Sequence, residues 1–306
     1  MSIEDSGQFD TPILLVLFNR PEVTQSTFEV VRKVKPMKLY VAADGPREGR
    51  PEEAIACAKV RDIVNQVDWP CEVFTKFSDV NLGCKMGEFT AMDWFFKNEE
   101  EGIVLEDDCC PDQSFFYYCQ ELLERFRYDS RVTMISGRNS LGSWKSNSQS
   151  YHFSKFGSVW GWAGWRRAWN YYDVDMKSWG DQNYKDAVKF FVGDENYNSR
   201  YVNYEGVYRG KIDTWDFQWS FAQSCQSGLT IVPAVNLISN IGFGEDATHT
   251  MDKNDSMAKV KSKTLDLPLS HVNIVVADAG FDKQLMDLNR LSFVQRVTGY
   301  IKRRVL

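Results

Sequence analysis

One stretch, residues 102–108, constrains the fold of this chain most, because an apolar run ends there in three consecutive acidic residues. Gly102–Leu105 has the composition of a short strand that is buried on both faces of a sheet. Glu106, Asp107 and Asp108 would then lie at the carboxyl edge of that sheet, where open α/β folds bind their ligands. Adjacent carboxylates repel one another, so a hard divalent cation such as Mg²⁺ or Mn²⁺ is one explanation for them. A solvated acidic turn is the other, and the stretch alone does not decide between them.

The first half of the chain alternates predicted strands and helices. Apolar runs at 13–18, 38–43, 71–77 and 132–136 predict strands, in addition to the strand that carries the acidic trio. Between them, the spacing of apolar residues predicts helices over 21–35 and 52–67, one that opens at 81–83, and one after Asp112. This succession predicts an α/β fold of three layers, in which helices cover both sides of a mainly parallel sheet.

Polar residues follow three of these strands and would share one edge of the sheet. Asn19 and Arg20 follow the first strand, and Asp44 follows the second. The planar guanidinium of Arg20 suits a pyrophosphate or a base, and the Asp44 carboxylate is able to accept a hydrogen bond from a base. Taken singly, a salt bridge at the start of a helix and an Asp-Gly turn are the more common roles of these two residues. Their shared edge with the acidic trio is what favours a ligand site.

Several classes of protein are disfavoured. No G-x-G-x-x-G follows the first strand and no G-x-x-x-x-G-K-[ST] occurs, so neither a dinucleotide dehydrogenase nor a P-loop NTPase fits. The net charge of −6 argues against a nucleic-acid partner. Seven cysteines without paired spacing predict reduced thiols in a cytoplasmic protein. The acidic start and the lack of any apolar run of about 18 residues predict neither a secretory signal nor a membrane span.

The second half is rich in tryptophan, with eight of the ten tryptophans between Trp144 and Trp219. Flat aromatic faces beside glycines, as in residues 160–165, suit stacking against sugars. Because large aromatic side chains are usually mostly buried, we expect at least half of these residues to form core instead.

Two polar residues of the second half are candidates for chemistry. Asp216 lies between aromatic residues, and an apolar setting raises the pKa of a carboxyl group toward that of a general base. A carboxylate that caps a helix is the structural alternative, and the two roles are compatible. His249 lies in a polar, glycine-containing loop after a predicted strand at 230–233. A lone histidine is more often a surface residue, but this loop makes it a candidate ligand of a phosphate or a metal.

The end of the chain, residues 281–306, is predicted to be a basic amphipathic helix. Its apolar residues follow helical spacing and no acidic residue occurs after Asp287. Such a helix is able to lie on an anionic membrane, which would place the protein at the inner face of the membrane. Packing of this helix on the domain or on a second subunit is the alternative that we favour, and the oligomeric state stays open.

The chain resembles GT-A glycosyltransferases, in particular the N-acetylglucosaminyltransferase I type and, more generally, bacterial polysaccharide glycosyltransferases. The similar segments occur in the family's order over roughly residues 11–250 and are Phe18–Pro21, Asp44, Glu106–Asp108 with Pro111–Phe116, Ile135–Asn139, Gly161-Trp162, Trp215-Asp216, and Phe243-Gly244 before His249. Each segment is short, so the order of the segments carries the resemblance.

The resemblance implies a Rossmann-like GT-A domain over residues 1–280, with a donor half at about 11–140 and a smaller acceptor-side lobe at about 141–250. It implies a nucleotide-sugar donor, by analogy a UDP-sugar, and a glycan or lipid-linked saccharide as acceptor. Mn²⁺ or Mg²⁺ would be bound by Asp108 and His249, and Asp216 would be the base of an inverting transfer. The implied donor contacts are Phe18, Asn19, Arg20, Asp44, Asn81, Lys85, Glu106, Asp107 and Arg138.

The chain differs from the family in one motif, and two other functions are alternatives to glycosyl transfer. The family has two adjacent aspartates between tryptophans, whereas this chain has the single Asp216, so Asp213 is the second candidate for the base. A sugar-nucleotide pyrophosphorylase would also use carboxylates and a metal, but it should carry a glycine-rich basic loop after the first strand. A non-catalytic carbohydrate-binding protein would explain the tryptophans but not the polar residues that share one edge.

Overall fold

The computed structural model describes residues 9–242 and 260–288 of the chain. The strands in this part are β1 (Ile13–Leu17), β2 (Lys38–Ala43), β3 (Glu72–Phe77), β4 (Glu101–Glu106), β5 (Cys109–Pro111), β6 (Val132–Ser136), β7 (Tyr151–Ser154), β8 (Trp162–Trp165), β9 (Leu229–Pro233) and β10 (Ile238–Asn240). The helices are α1 (Pro21–Val34), α2 (Pro51–Arg61), α3 (Gly83–Asn98), α4 (Ser114–Phe126), α5 (Arg166–Trp169), α6 (Gln182–Val192), α7 (Asp194–Tyr208) and α8 (Asp216–Cys225), and residues 279–288 are also helical. The predicted succession of strands and helices in the first half is confirmed.

Eight of these strands form one mixed sheet, in the order β3-β2-β1-β4-β8-β6-β9-β7. The strands β3, β2, β1 and β4 are parallel, with Ile13 of β1 opposite Leu39 of β2 and Ile103 of β4. β8 runs antiparallel to β4 and β6, and β7 runs antiparallel to β9. A large, mostly parallel sheet with helices on both faces is the predicted three-layer α/β fold.

Alternate residues of the central strands belong to cores on opposite faces of the sheet. In β1, Ile13 and Leu15 enter the core that α1 and α4 cover, whereas Leu14 and Val16 enter the core that α3 covers. Since both faces are buried, the strand has a continuous apolar sequence instead of an alternating one. This is why these strands are easy to recognise in the sequence.

The tryptophan-rich stretch forms β8, a central strand, instead of an exposed surface for sugars. Ala163 of β8 lies opposite Ile103 of β4 on one side and Ile135 of β6 on the other. Most of the tryptophans in the second half are at most 4% exposed, namely Trp162, Trp165, Trp169, Trp179, Trp215 and Trp219. The expectation that at least half of them form core is therefore confirmed.

A second, two-stranded sheet brings distant parts of the chain to the acidic trio. β5 follows Asp108 directly and pairs with β10, so that Asn240 lies opposite Cys109. The pairing places the chain around Asn240–Gly242 beside the carboxyl end of β4, and the backbone N–H of Ile241 donates to the carbonyl of Asp108 at 2.9 Å.

Within the described residues, no helix combines the length and the apolar composition that crossing a membrane requires. All seven cysteines are free, in agreement with the absence of paired spacing. His249 and residues 289–306 of the predicted basic helix lie outside the described residues, so their predicted roles stay predictions.

Candidate active site

The acidic trio lies where the strand order reverses along the sheet. The chain goes from β1 through α1 to β2 on one side of β1, whereas β4 is the neighbour on the other side. Connections that leave two adjacent strands in opposite directions open a crevice at their carboxyl ends, and this is where open α/β sheets bind ligands. Arg20 follows β1 and Asp107 and Asp108 follow β4, so the three meet although they are far apart in sequence.

Arg20 binds both aspartates with its guanidinium. Its Nε lies 3.0 Å from Asp107 Oδ2, and its Nη2 donates to Asp107 Oδ1 and, at 3.0 Å, to Asp108 Oδ2. The Arg20 guanidinium thus makes a bidentate interaction with the Asp107 carboxylate, which fixes the orientation of Asp107. Arg20, Asp107 and Asp108, which are predicted to share one edge of the sheet, are therefore in direct contact.

Asp108 is also held by the residues around β10. Its side chain is nearly buried, at 7% exposed, and its Oδ1 accepts from Asn240 Nδ2 at 3.1 Å. Gly242 packs so closely that a Cβ at this position would lie 2.6 Å from Arg20 Nη1 and would overlap Asp108. Only glycine lets this backbone approach the carboxylate.

Two further carboxylates face this pair. Burial raises the pKa of Glu88, on α3, and the charges of Asp107 and Asp108 raise it further. Burial likewise raises the pKa of Glu106, and Glu88 is the largest of the charges that add to this effect. Within the described part of the chain, the buried Oε2 of Glu88 has no hydrogen-bond partner. The site therefore holds more carboxylate than Arg20 neutralises.

This surplus fits a divalent cation that is bound together with a ligand. Among the residues that the structure describes, no group of three or more His, Cys, Asp or Glu side chains is arranged to hold a metal ion by itself. Mg²⁺ sites at phosphates commonly use one or two carboxylates, and phosphate oxygens and waters complete the shell. Asp108 and the unpartnered oxygen of Glu88, which line the same cavity, are donors of this kind.

Asp44 organises the loop that leads into α3. Its Oδ1 accepts from the backbone N–H groups of Gly45 at 2.8 Å and Leu82 at 2.9 Å, and its Oδ2 accepts from Asn81 Nδ2 at 2.9 Å. Burial raises the pKa of Asp44, and the hydrogen bonds from Leu82 and Gly45 oppose that rise. Asp44 and Asn81 thus form a fixed wall, with part of the hydrogen-bonding capacity of Asp44 used by the protein itself.

These residues line one cavity of about 930 Å³. Most of the residues that the resemblance implies for the donor and metal lie on its wall, namely Phe18, Asn19, Arg20, Asp44, Asn81, Glu106, Asp107 and Asp108. Its ionisable lining comprises four cations, Arg20, Arg47, Lys76 and Lys211, and six carboxylates, Asp44, Glu88, Glu106, Asp107, Asp108 and Asp213. The volume of the cavity falls within the roughly 300–1,000 Å³ of typical ligand sites, so the cavity is large enough for a nucleotide-sized ligand.

Asp213 and Asp216, the two candidates for a base, have different surroundings. Asp213 lines the 930 Å³ cavity, and its Oδ1 accepts from the backbone N–H of Lys85 at 3.3 Å, in the first turn of α3. Asp216 is the first residue of α8 and accepts a hydrogen bond from Thr214 Oγ1. The pKa of Glu106 is raised mainly by burial, and the charge of Asp216 makes a smaller contribution.

Two implied donor contacts lie away from this cavity. The Lys85 side chain is directed to Asp175, with 3.8 Å between Nζ and Oδ1. Arg138 is 2% exposed and stacks on Trp160, with its guanidinium carbon 4.3 Å from the centre of the ring. Arg138 and Asp216 line a second, smaller cavity, and Trp160 lies between the two cavities because it lines both.

Glu88 is not among the site residues predicted from the sequence, although its position in the sequence carries a recognisable signal. It precedes Phe89 on the predicted helix, next to the apolar stripe that includes Met92 and Phe96, so its carboxylate has to lie at the margin of the core. A charged residue at such a margin is a candidate for a functional site.

Comparisons with known proteins do not identify the function of these residues. No family model matches the chain, and no curated protein does. A solved structure similar to part of it is 4-diphosphocytidyl-2C-methyl-D-erythritol synthase from Anaerococcus prevotii DSM 20548, which is 9% identical. The match covers 51% of this chain and 72% of that chain with a TM-score of 0.30, a likeness too low to support an argument about function.

Proposed function

We propose that the chain is a metal-dependent glycosyltransferase of the GT-A type. It moves a sugar from a nucleoside-diphosphate sugar, by analogy a UDP-sugar, to a hydroxyl of a glycan or a lipid-linked saccharide. The observation that carries the proposal is the meeting of Arg20, Asp107 and Asp108 at the strand-order reversal, on the wall of a 930 Å³ cavity. The order of short segments that resembles this family is the second support.

The donor would bind in the 930 Å³ cavity with its diphosphate toward the aspartates. Because the lining is acidic on balance, a diphosphate binds there only if positive charge accompanies it. A Mn²⁺ or Mg²⁺ ion held by Asp108 would supply a Lewis acid for the leaving diphosphate. Arg20 keeps Asp107 and Asp108 in place, and Asp44 and Asn81 hold the opposite wall.

Asp216 would be the general base for the acceptor. It accepts the proton of the acceptor hydroxyl while that oxygen forms a bond to the sugar C1 and the bond from C1 to the diphosphate breaks. A positioned base contributes typically about 10²–10⁴-fold to such a step. Thr214, whose hydroxyl donates to Asp216 Oδ1, orients the carboxylate so that its other oxygen is available to the acceptor.

Of the other functions, carbohydrate binding without catalysis loses its main support. Six of the tryptophans that suggested it are core residues, as their exposure of at most 4% shows. The pyrophosphorylase reaction uses the same kind of nucleotide and differs in its products.

Calorimetric titration of the full chain with UDP tests the proposal. The titration is made once in the presence of Mn²⁺ and once after the metal has been removed with EDTA. We expect binding with the metal and at least about tenfold weaker binding without it, since one lost charge-assisted contact is worth about that factor. A screen of UDP-sugars should then release UDP. Formation of UTP on addition of pyrophosphate would instead identify a pyrophosphorylase, and absence of nucleotide binding would contradict both.

A further inference from the structure

A second cavity of about 360 Å³ lies on the other side of Trp160 from the nucleotide-sized cavity. Its wall is formed by the loop around 155–160, the start of α8 and the helical segment near Phe281. Asp216 lies on this wall, so a ligand in the second cavity would be next to the base that the proposed function requires. The volume falls within the range of about 300–1,000 Å³ that is usual for small-molecule sites.

The charge of the second cavity is opposite to that of the first. Its ionisable lining in the described part of the chain comprises three cations, Arg138, Lys155 and Arg200, and one carboxylate, Asp216. The first cavity has six carboxylates against four cations. Two adjoining cavities of opposite balance would accept ligands, or parts of a ligand, of different charge.

Neutral groups hold two of these cations in place. Arg200 Nη1 donates to Ser220 Oγ at 2.6 Å and to Tyr204 Oη at 3.3 Å, and its guanidinium lies 4.6 Å from the centre of the Phe156 ring. Lys155 Nζ donates to the carbonyl of Phe191 at 2.8 Å. Such partners orient a cation without neutralising it, so its charge stays available to an anion.

The acid near Lys155 does not pair with its ammonium group. Asp282 accepts from the backbone N–H of Lys155 at 3.3 Å and from the hydroxyl of Ser154 at 2.5 Å. Among the described residues, no carboxylate lies within 4.0 Å of the charged nitrogens of Lys155 or Arg200. As far as the described residues are concerned, the charges of Lys155 and Arg200 therefore stay available to an anion.

The rest of the lining suits a sugar. The lining also includes aromatic rings and hydroxyl groups, among them Phe156, Trp160, Phe217, Ser140, Ser158 and Ser220. Aromatic faces pack on the apolar C–H faces of a pyranose, and hydroxyl groups exchange hydrogen bonds with its hydroxyls. A ligand that combines a sugar ring with an anionic group matches both the rings and the cations.

We propose that the second cavity is the acceptor site and that the acceptor is an anionic saccharide, with a carboxylate or a phosphate bound by Lys155 and Arg200. This inference rests on the proposed function, because the acceptor role follows from the position of Asp216, the proposed base, on the wall of the second cavity. The anionic character follows from the lining alone.

The test measures binding of three probes to the full chain by ligand-observed NMR and calorimetry. The probes are trigalacturonate, its neutral counterpart galactotriose, and inorganic phosphate. Two variants remove one cation each, Lys155→Met and Arg200→Gln. Lys59→Gln, at an exposed position of α2, removes the same charge away from the cavity and is the control.

We expect trigalacturonate to bind at least about tenfold more tightly than galactotriose, and each cavity variant to lose about fivefold or more of that affinity, as removal of a charge-assisted contact predicts. Lys59→Gln should bind as the wild type does. If phosphate is preferred to trigalacturonate and is lost in the same variants, the anion is a phosphate group. Thermal unfolding of each variant checks its fold, and Lys155→Met carries the test if Arg200→Gln does not fold.

Equal binding of the charged and neutral saccharides, binding that the cavity variants do not change, or no binding of any probe would overturn the inference. UDP titrations on the same samples separate this outcome from failure of the proposed function. Loss of the anion preference with normal UDP binding refutes the anionic acceptor alone. Normal anion binding without UDP binding refutes the transferase and leaves an anion-binding cavity.

Discussion

At the scale of single residues, Asp108 depends on contacts from three distant parts of the chain. Arg20 comes from the end of β1, Asn240 from β10, and Gly242 from the segment after β10. A buried carboxylate whose partners are removed is left with an uncompensated desolvation penalty. Each of these neighbours is therefore a position where a small change should move the carboxylate.

Gly242→Ala tests the close packing on Asp108. The added methyl group would overlap the carboxylate and lie 2.6 Å from Arg20 Nη1, so Asp108 has to shift. We expect metal-dependent UDP binding to weaken about tenfold, since displaced polar contacts of this kind are worth about that factor. Lys59→Ala, at an exposed position of α2, is the control for binding. Unchanged UDP affinity in Gly242→Ala would show that the position of Asp108 does not matter to the ligand.

Asp216→Asn tests the assignment of the base. The substitution keeps the size of the side chain and the start of α8 but removes the proton acceptor, so transfer should fall by about 10²–10⁴-fold. UDP affinity should stay as in the wild type, because Asp216 lies on the wall of the other cavity. Rates are measured as UDP release in the presence of acceptor, beside Asp213→Asn. Greater loss of transfer in Asp213→Asn would assign the base to Asp213.

At the scale of secondary-structure elements, the first turn of α3 is fixed from both sides of the cavity. Asp44, after β2, accepts from Leu82, and Asp213, before α8, accepts from Lys85. Gly83 between them has a φ of +76°, a left-handed conformation that favours glycine. Carboxylates near a helix N-terminus are stabilised by its unpaired N–H groups. The start of α3 thus connects the first half of the chain to the second half.

Strand β7 contains a buried histidine with a consequence for stability. His152 is 2% exposed, neither ring nitrogen has a hydrogen-bond partner within the described residues, and its ring lies 4.2 Å from that of Phe281. Burial lowers the pKa of His152 to about 4, with Asp278 opposing and Lys145 supporting the shift. The folded protein therefore keeps this imidazole neutral at a pH where the unfolded chain protonates it.

The stability of the protein should accordingly fall as the pH drops from 6.5 toward 4. In that interval the unfolded state binds more protons than the folded state, so the free energy of unfolding decreases as the pH decreases. A shift of this size corresponds to about 3 kcal/mol. Urea unfolding of the wild type and of His152→Leu at pH 7 and pH 4.5 measures it. An equal decrease in both proteins would show that His152 does not contribute.

At the scale of the whole molecule, two cavities of opposite charge lie on either side of one tryptophan. The carboxylates of the first cavity destabilise the ligand-free protein, because burial and, to a smaller extent, mutual repulsion raise the pKa values of Glu88 and Glu106. Binding of a cation with a diphosphate would relieve this repulsion. The ligand should therefore stabilise the fold and not only occupy a preformed space.

Thermal unfolding with UDP and Mn²⁺ tests this coupling. At a ligand concentration of 100 times Kd, the stabilisation is about 2.7 kcal/mol, which should raise Tm by about 4 °C in a chain of this size. UMP, which lacks the β-phosphate, should raise it less, and EDTA should remove the effect. Asp108→Asn should show little metal-dependent shift. A full shift in Asp108→Asn would contradict its role at the metal.

Much of the fold could be predicted because the relevant signals are local. The buried strands of the first half are continuous apolar runs, and the acids and Arg20 stand directly after them, so chain order alone places them at one edge. Strand β8 escapes prediction because it is four residues long and consists of tryptophan, alanine and glycine, a composition that equally suits a binding surface. Only its pairing with β4 and β6 identifies it as core.

The sequence by itself determined the layered α/β architecture, the carboxyl edge of the sheet and most of the residues on it, because buried strands and their flanking polar residues are read within a few positions. The tertiary structure decided what lies opposite that edge. It placed Glu88, Asn240 and Gly242 around the aspartates and moved Arg138 and Asp216 to a second cavity. Contacts between residues that are distant in the sequence depend on strand order and helix packing, and no local pattern encodes them.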